Sequence, residues 1–412
     1  MRCLIYFLSE GFQTKLRILA QGRSERYEDT ILEYKKLFLA RLKAAKYDCN
    51  NKECPYKESC NVIKAGIELI SDQSIETFFD SIRKIYLYWI DSKSQDAIVL
   101  FTDILKEYGL EDFSISFKEY DIFFKGRCTS DILTKWDMFH IPFNKRYLIS
   151  NQRYSLTGQP IVYAGRSVVD IMEELEVNSL ENLKLSTIQP SSDMKVFDLR
   201  NNINADVEEI DLELFFGDEQ PRYEERNFFK IILASICSFS RKQEQKNFSF
   251  CEEYVIPQLL AQIMKNNGYW GIVYLSTKKF KNLSMRSADN PEEMEIIDYI
   301  LQEDSYKENI AIFTQIDEHH VYDKGLFEKL RISVPISVDK IEKISLDDLH
   351  IIVKEIVATE QQNKITNAEM IVSSFERIYN KINISGKQYR DTEEGQLHMY
   401  HLYEALNQIL VS

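Results

Sequence analysis

Asn151-Gln-Arg-Tyr-Ser-Leu-Thr-Gly-Gln-Pro-Ile-Val-Tyr-Ala-Gly165 decides the architecture, and it runs on into a segment ending Met172-Glu-Glu-Leu175. A polar loop carrying Arg153 passes through Gly158 and Pro160, residue types that punctuate local structure. Ile161, Val162 and Tyr163 then read as a short strand, being β-branched or aromatic. Residues 168–175 follow as a helix bearing two adjacent carboxylates, Glu173 and Glu174. A strand that feeds a short helix, set among longer helical stretches, predicts an α+β domain.

Working outward, further β-rich runs lie at 147–149, 195–199, 271–275 and 309–314. Helical segments at 227–236 and 254–265 are mixed irregularly among them. Upstream, Tyr27, Ile31, Tyr34, Phe38 and Leu42 recur at three- and four-residue steps, as a buried helix face requires. Residues 74–89 read as a second helix, with Ser74 as its cap, and 96–108 as a third. Helical texture returns after Pro335, at 346–358, 367–382 and 393–410. Three units are therefore expected: 1–125, helical with a Cys-rich loop; 126–335, α+β; and 336–412, a C-terminal helical segment. The acidic stretch 206–225 reads as a solvated insertion.

The chain has 412 residues and a formal net charge of -14. Such acidity argues against nucleic acid as a partner, because no strong basic patch offsets it. No apolar run reaches the roughly 18 to 20 residues that span a bilayer, and residues 2–8 are too short for a signal-peptide core. A cytoplasmic location without membrane contact is expected, so the seven cysteines should be thiols or metal ligands. Cys49, Cys54 and Cys60 lie close enough to give three ligands of a structural zinc, with Cys3 or Cys128 as a distant fourth. Free thiols in a polar loop are the alternative. His319-His320 reads as an exposed pair, and His398 with His401 as packing residues on one helix face. No Walker motif and no Gly-X-Gly-X-X-Gly occurs, which excludes a Rossmann nucleotide site.

Three pieces of sequence resemble the RES domain. The first joins Phe139-His-Ile-Pro-Phe-Asn-Lys-Arg-Tyr147 to Asn151-Gln-Arg-Tyr-Ser155 and Gly158-Gln-Pro-Ile-Val-Tyr163. The second is Glu174, eleven residues beyond Tyr163. The third joins Tyr254-Val-Ile-Pro-Gln-Leu-Leu-Ala261 to Gly268-Tyr-Trp-Gly-Ile-Val-Tyr-Leu-Ser276. The resemblance implies an ADP-ribosyltransferase-like α+β fold flanked by an N-terminal helical domain and C-terminal helices. It also implies cleavage of NAD between nicotinamide and ribose, with phosphate or water as acceptor. Members of the family often act as growth-arresting toxins restrained by an inhibitory partner, so a sensor or inhibitor protein and a role in antiviral defence are expectations here. An ADP-ribosyltransferase acting on a macromolecule, or a helical adaptor with a degenerate RES domain, are the alternatives; the oligomeric state stays open.

Residue chemistry is compatible with that implication. Glu174 can stabilise positive charge developing on the ribose in a water-poor site. Arg153 offers a planar pair of donors for pyrophosphate or phosphate, with Arg146 as its competitor. Tyr163 and Tyr154 can stack on a base. Ser276 sits where a strand gives way to a polar turn and is expected to hydrogen-bond substrate; no nucleophile elbow surrounds it. His140 occupies the neighbourhood in which many relatives carry an earlier arginine.

Overall fold

The computed structural model describes residues 4–47, 64–65, 67–200, 225–242, 250–277, 283–285, 307–379, 382–384 and 386–411. The chain opens with helices α1 (Leu4–Leu8), α2 (Glu10–Gln21), α3 (Tyr27–Tyr47), α4 (Asp72–Ile90) and α5 (Ser94–Glu107). Strands β1 (Ser114–Phe117), β2 (Phe123–Cys128) and β3 (Ile161–Gly165) lead to α6 (Val168–Glu174). There follow β4 (Leu183–Pro190), β5 (Met194–Asp198), α7 (Glu225–Cys237), α8 (Val255–Asn266) and β6 (Gly271–Leu275). The remainder comprises β7 (Leu283–Met285), β8 (Glu308–Phe313), α9 (Lys324–Glu328), β9 (Leu330–Ile332), α10 (Leu346–Val357), α11 (Gln362–Tyr379), β10 (Ile382–Ile384), β11 (Lys387–Gln388) and α12 (Glu393–Val411).

Eight strands form one sheet in the order β1-β5-β6-β8-β3-β2-β4-β9. Every pairing is antiparallel except β5 with β6. A smaller sheet joins β11, β10 and β7. The α+β expectation holds, with helices on both sides of the central sheet. The period-two alternation of a strand divides its side chains between two cores. On β6, Ile272 and Tyr274 enter the core shared with the N-terminal helices, while Val273 enters the opposite one. On β8, Ala311 and Phe313 face the first core and Ile310 and Ile312 the second.

Among the described residues, the N-terminal helices share one core with the sheet. Tyr34 and Phe38 of α3, Phe79 of α4, Phe228 of α7 and Ile256 of α8 belong to one buried cluster that continues into the sheet. The rings of Phe38 and Phe228 lie 5.7 Å apart, edge to face, across that junction. The C-terminal helices α10, α11 and α12 pack on α6, β2 and β4 in a second cluster. Ser345 and Asp348 close a reciprocal capping box at the start of α10.

Strands expected at 161–163, 195–199, 271–275 and 309–314 correspond to β3, β5, β6 and β8. Residues 147–149 do not form a strand. Phe143–Leu148 winds as a 3-10 turn after Pro142, so this run has no sheet neighbour to pair with. Strands β1 and β2 begin before residue 126, so the sheet draws on chain expected to be helical. The cap of α4 is Ser71, whose hydroxyl accepts from the Ser74 amide at 2.9 Å, one turn earlier than expected. The cysteine loop (Cys49, Cys54, Cys60) and the acidic stretch 206–224 lie outside the described residues. Among the described residues no helix is long and apolar enough to cross a membrane.

Helix α12 turns His398 and His401 inward, where they are 3% and 2% exposed. The His398 ring lies 4.6 Å from both Phe124 and Tyr379. Burial holds the His401 pKa down to about 4 and that of His398 well below its ordinary value. An unfolded chain takes these protons near pH 6.5, so the stabilisation is complete above about 6.5 and is lost as pH falls toward 4. The urea midpoint is therefore expected to drop across that interval. His401→Phe should remove about 3 kcal/mol of the drop, read by urea unfolding at both ends of the interval.

Candidate active site

Gly158, at φ +83°, makes the left-handed turn that returns the 151–160 loop to the sheet. Beyond it β3 pairs with β8, placing Tyr163 opposite Ala311. At the next turn Ser167 caps α6 by accepting from the Asp170 amide at 3.0 Å. Helix α6 is only seven residues long, and Glu174 is its last residue.

The Glu174 carboxylate is held from two strands. The Ser276 hydroxyl, just past β6, donates to Glu174 Oε1 at 2.6 Å. Asn309 Nδ2, on β8, donates to the same oxygen at 3.0 Å. Hydrogen bonds of this kind fix the orientation of the carboxylate. Ser276 thus contacts the carboxylate itself, which refines its expected role as a ligand to substrate.

Glu174 opens onto a cavity of about 550 Å³, a volume within the usual range for small-molecule sites. Arg153 and Tyr163 line it too, so three of the expected residues meet there, with Ser276 directly behind Glu174. Aromatic walls come from Phe139, Tyr163, Tyr254 and Tyr274. Tyr163 is fixed through its hydroxyl, which accepts from the Tyr154 amide at 3.2 Å and contacts Ser155 Oγ at 3.4 Å. Burial first of all pushes its pKa up, so it stays a neutral phenol.

Arg153 is braced by its own protein. Its Nη1 donates to the carbonyls of Cys237 and Phe239 at 2.7 and 3.0 Å, and Nη2 to Thr277 Oγ1 at 3.2 Å. The guanidinium lies 5.0 Å from the Tyr254 ring centre, a cation–π contact. The loop that carries Arg153 is itself stapled by Gln258 of α8, whose Nε2 donates to the carbonyls of Gln152 and Ser155. Among the described residues no carboxylate pairs with Arg153.

Two further cations line the cavity that sequence reading did not single out, Lys125 and Arg127 of β2. Their separation by one residue puts both on the same face of the strand. Burial, and then the neighbouring Arg127 charge, bring the Lys125 pKa down to about 7. The available signal was Phe123-Phe-Lys-Gly-Arg-Cys128, a strand with alternating cations where an apolar face would otherwise run. The charged lining is thus Lys125, Arg127, Arg153 and Glu174, a cationic cavity in an acidic protein.

Three expected site residues lie elsewhere. Arg146 is exposed on the 3-10 turn and does not line the cavity. Tyr154 is 1% exposed and packs 4.4 Å from Tyr274, as part of the core behind the site. His140 is also buried. Its Nε2 accepts from the Asp323 amide at 2.9 Å, so its Nδ1 carries the proton toward the Ile141 carbonyl at 2.7 Å. Both ring nitrogens are committed, and burial lowers the pKa. Of the other histidines, His320 pairs with Asp317 on an exposed loop.

A chain of ion pairs runs behind the site. Arg166, at the turn into α6, pairs with Asp121 at 3.1 Å and with Glu308 at 3.3 Å. Glu308 also pairs with Arg200, and Arg200 with Asp198 at 2.8 Å. Lys230 of α7 completes the chain on Asp198 at 3.2 Å. Burial opposes ionisation of Asp198, but Arg200 and Lys230 together hold its pKa well below the usual carboxylate range.

Among curated proteins, the chain is 36% identical over 164 residues to a Bacillus subtilis (strain 168) protein described as "Putative toxin YopC". The aligned stretch takes in 38% of this chain and 36% of that protein, about a third of its length. No protein-family model matches the chain. No solved structure matches it either.

The cavity's charge predicts how it responds to anions. Lys125 is charged below about pH 7 and neutral above it, so affinity for inorganic pyrophosphate should fall as pH rises through that value. Lys125→Gln should weaken pyrophosphate binding at pH 6 by roughly tenfold and flatten the pH dependence, as read by isothermal calorimetry.

Proposed function

We propose that this chain is an NAD-degrading enzyme that cleaves the N-glycosidic bond between nicotinamide and ribose, serving as a growth-arresting toxin or antiviral-defence effector. The observation that carries the reading is Glu174, doubly hydrogen-bonded and facing a cavity lined by three cations and four aromatic rings. A dinucleotide has the matching chemistry, with a doubly charged pyrophosphate between two flat bases. In this reading Arg153, Lys125 and Arg127 hold the pyrophosphate, and Tyr163, Tyr254, Tyr274 and Phe139 flank the bases.

The leaving group sets what the site must do. Nicotinamide departs with the electron pair of the C–N bond, and this pair neutralises its pyridinium charge. No proton need be given to it, so a general acid is unnecessary. The positive charge moves to the ribose, where the Glu174 carboxylate stabilises it. Water then adds at the same carbon and releases a proton to give ADP-ribose, or phosphate adds to give its 1-phosphate ester. The toxin role draws its support from the relative described as a toxin and remains part of the proposal.

Incubation with NAD, with and without phosphate, is expected to release nicotinamide, identified by chromatography and mass spectrometry. Glu174→Ala should lower the rate by at least about 100-fold while leaving the unfolding transition in place. Intact NAD at stoichiometric enzyme would refute the reading. ADP-ribose found covalently attached to a protein would redirect it to macromolecular transfer.

A further inference from the structure

Behind Glu174 lies a second carboxyl. Asp170, one turn earlier on α6, is completely buried, and neither of its oxygens has a hydrogen-bond partner among the described residues. Asn309 Oδ1 is likewise buried without a partner. Both side chains lie against Gly165. A Cβ built on Gly165 would stand 2.4 Å from Asp170 Oδ2 and 2.9 Å from Asn309 Oδ1. Glycine at 165 leaves open the space that lets the two side chains approach.

Two acceptor oxygens held against the same glycine in a dry interior are costly unless a proton is shared between them. A primary amide can donate from its nitrogen and accept at its oxygen, but it cannot satisfy two ionised carboxylates from opposite ends. Asn309 gives its Nδ2 hydrogen to Glu174 and so presents Oδ1 on its other side. Glu174 has the further support of the Ser276 hydroxyl. No side-chain donor reaches Asp170 among the described residues, and of the two acids it is the one to keep a proton.

We infer that Asp170 is a positioning residue: a neutral carboxylic acid that donates to Asn309 Oδ1 and thereby turns the Asn309 amide toward an ionised Glu174. The surroundings agree. Burial, followed by the nearby Glu174 charge, pushes the Asp170 pKa well above the carboxylate range; Lys307 and the Arg166 backbone amide oppose this, and Glu173 adds to it. Tyr379 of α11 faces the same region, with its hydroxyl donating to the Arg166 carbonyl at 3.0 Å. The elements that pack against α6 also carry Lys125, Arg127 and Cys128 on β2, Tyr163 on β3, and on α12 the buried His398 and His401 together with Glu393, Glu394, Tyr400, Tyr403 and Glu404. The pair divides one proton between two carboxyls according to their surroundings.

The catalytic consequence rests on the NAD reading, whereas the proton itself does not. In protein labelled with 13C at the aspartate carboxyl carbons, the signal absent from Asp170→Asn should report a protonated acid at neutral pH. An ionised Asp170 overturns the inference whether or not NAD is cleaved. Glu174→Gln, which removes the neighbouring charge, should make Asp170 lose its proton at lower pH, and an unmoved titration would also count against it. This second variant keeps the test open if Asp170→Asn fails to fold, since the aspartate signal that moves between wild type and Glu174→Gln identifies Asp170. For turnover, Asp170→Ala should lower kcat about tenfold with KM within about twofold, because Asp170 does not line the cavity. Asp170→Asn, which still offers a donor, should restore most of kcat. Equal losses in both variants would overturn the positioning role. Absence of any nicotinamide release from wild type would refute the NAD reading and leave the carboxyl measurement standing.

Discussion

Glu308 is bound by two arginines, and most of the site's geometry follows from where that places its neighbours. It is the first residue of β8, so Asn309 follows it directly. Arg166, which pairs with it, begins the turn into α6 and so sets where Glu174 ends the helix. Arg200 pulls in the end of β5, and Lys230 ties α7 to the same chain through Asp198. Removing one member of such a buried pairing strands the charge of another, at about 3–5 kcal/mol. An apolar core could hold these elements together equally well. The ion pairs add angular definition at the point where three strands and a short helix must converge on one carboxylate.

The site also has a consistent division of labour. Its cations come from β2 and from the loop before β3, while its carboxylate comes from the helix after β3. A short excursion of the chain therefore carries both charge signs, with the strand as spacer. Asn309 and Ser276 arrive from β8 and the end of β6, and they orient without adding charge. In an acidic protein this leaves three basic side chains around a single carboxyl group in the cavity lining.

Much of this was legible in the sequence where local pattern and tertiary role agree. Strands β6 and β8 are runs buried on both faces, β3 is an apolar run buried on one face, and α3 shows its inner face as an aromatic stripe. The link between Glu174 and the Gly268 to Ser276 stretch came from resemblance, since no local rule joins residues so far apart. What was missed has physical reasons. Strand β4, Leu183-Lys-Leu-Ser-Thr-Ile-Gln-Pro190, mixes polar and apolar residues; the Ser186 hydroxyl donates to the Ser333 carbonyl, and the Ser333 hydroxyl accepts from the Thr187 amide. Lys125 and Arg127 were not singled out because a strand's neighbours, not its sequence, decide which face is enclosed. The likeness of Arg146-Tyr147 to Arg153-Tyr154 was misleading, since only the second pair is drawn in by Gln258 and the carbonyls after α7. His140 carried no sign in sequence that the Asp323 amide would occupy its ring.

The common core of the N-terminal helices and the sheet bears on how the molecule can be divided. Phe239, whose carbonyl receives Arg153, packs its ring edge-on against Tyr27 and Tyr34 of α3. Cutting the chain where helix gives way to strand would expose the apolar backs of α7 and α8, and would unseat the residue that braces a pocket cation. The N-terminal layer is thus part of the enclosure's masonry, and the smallest excisable version of the pocket includes it.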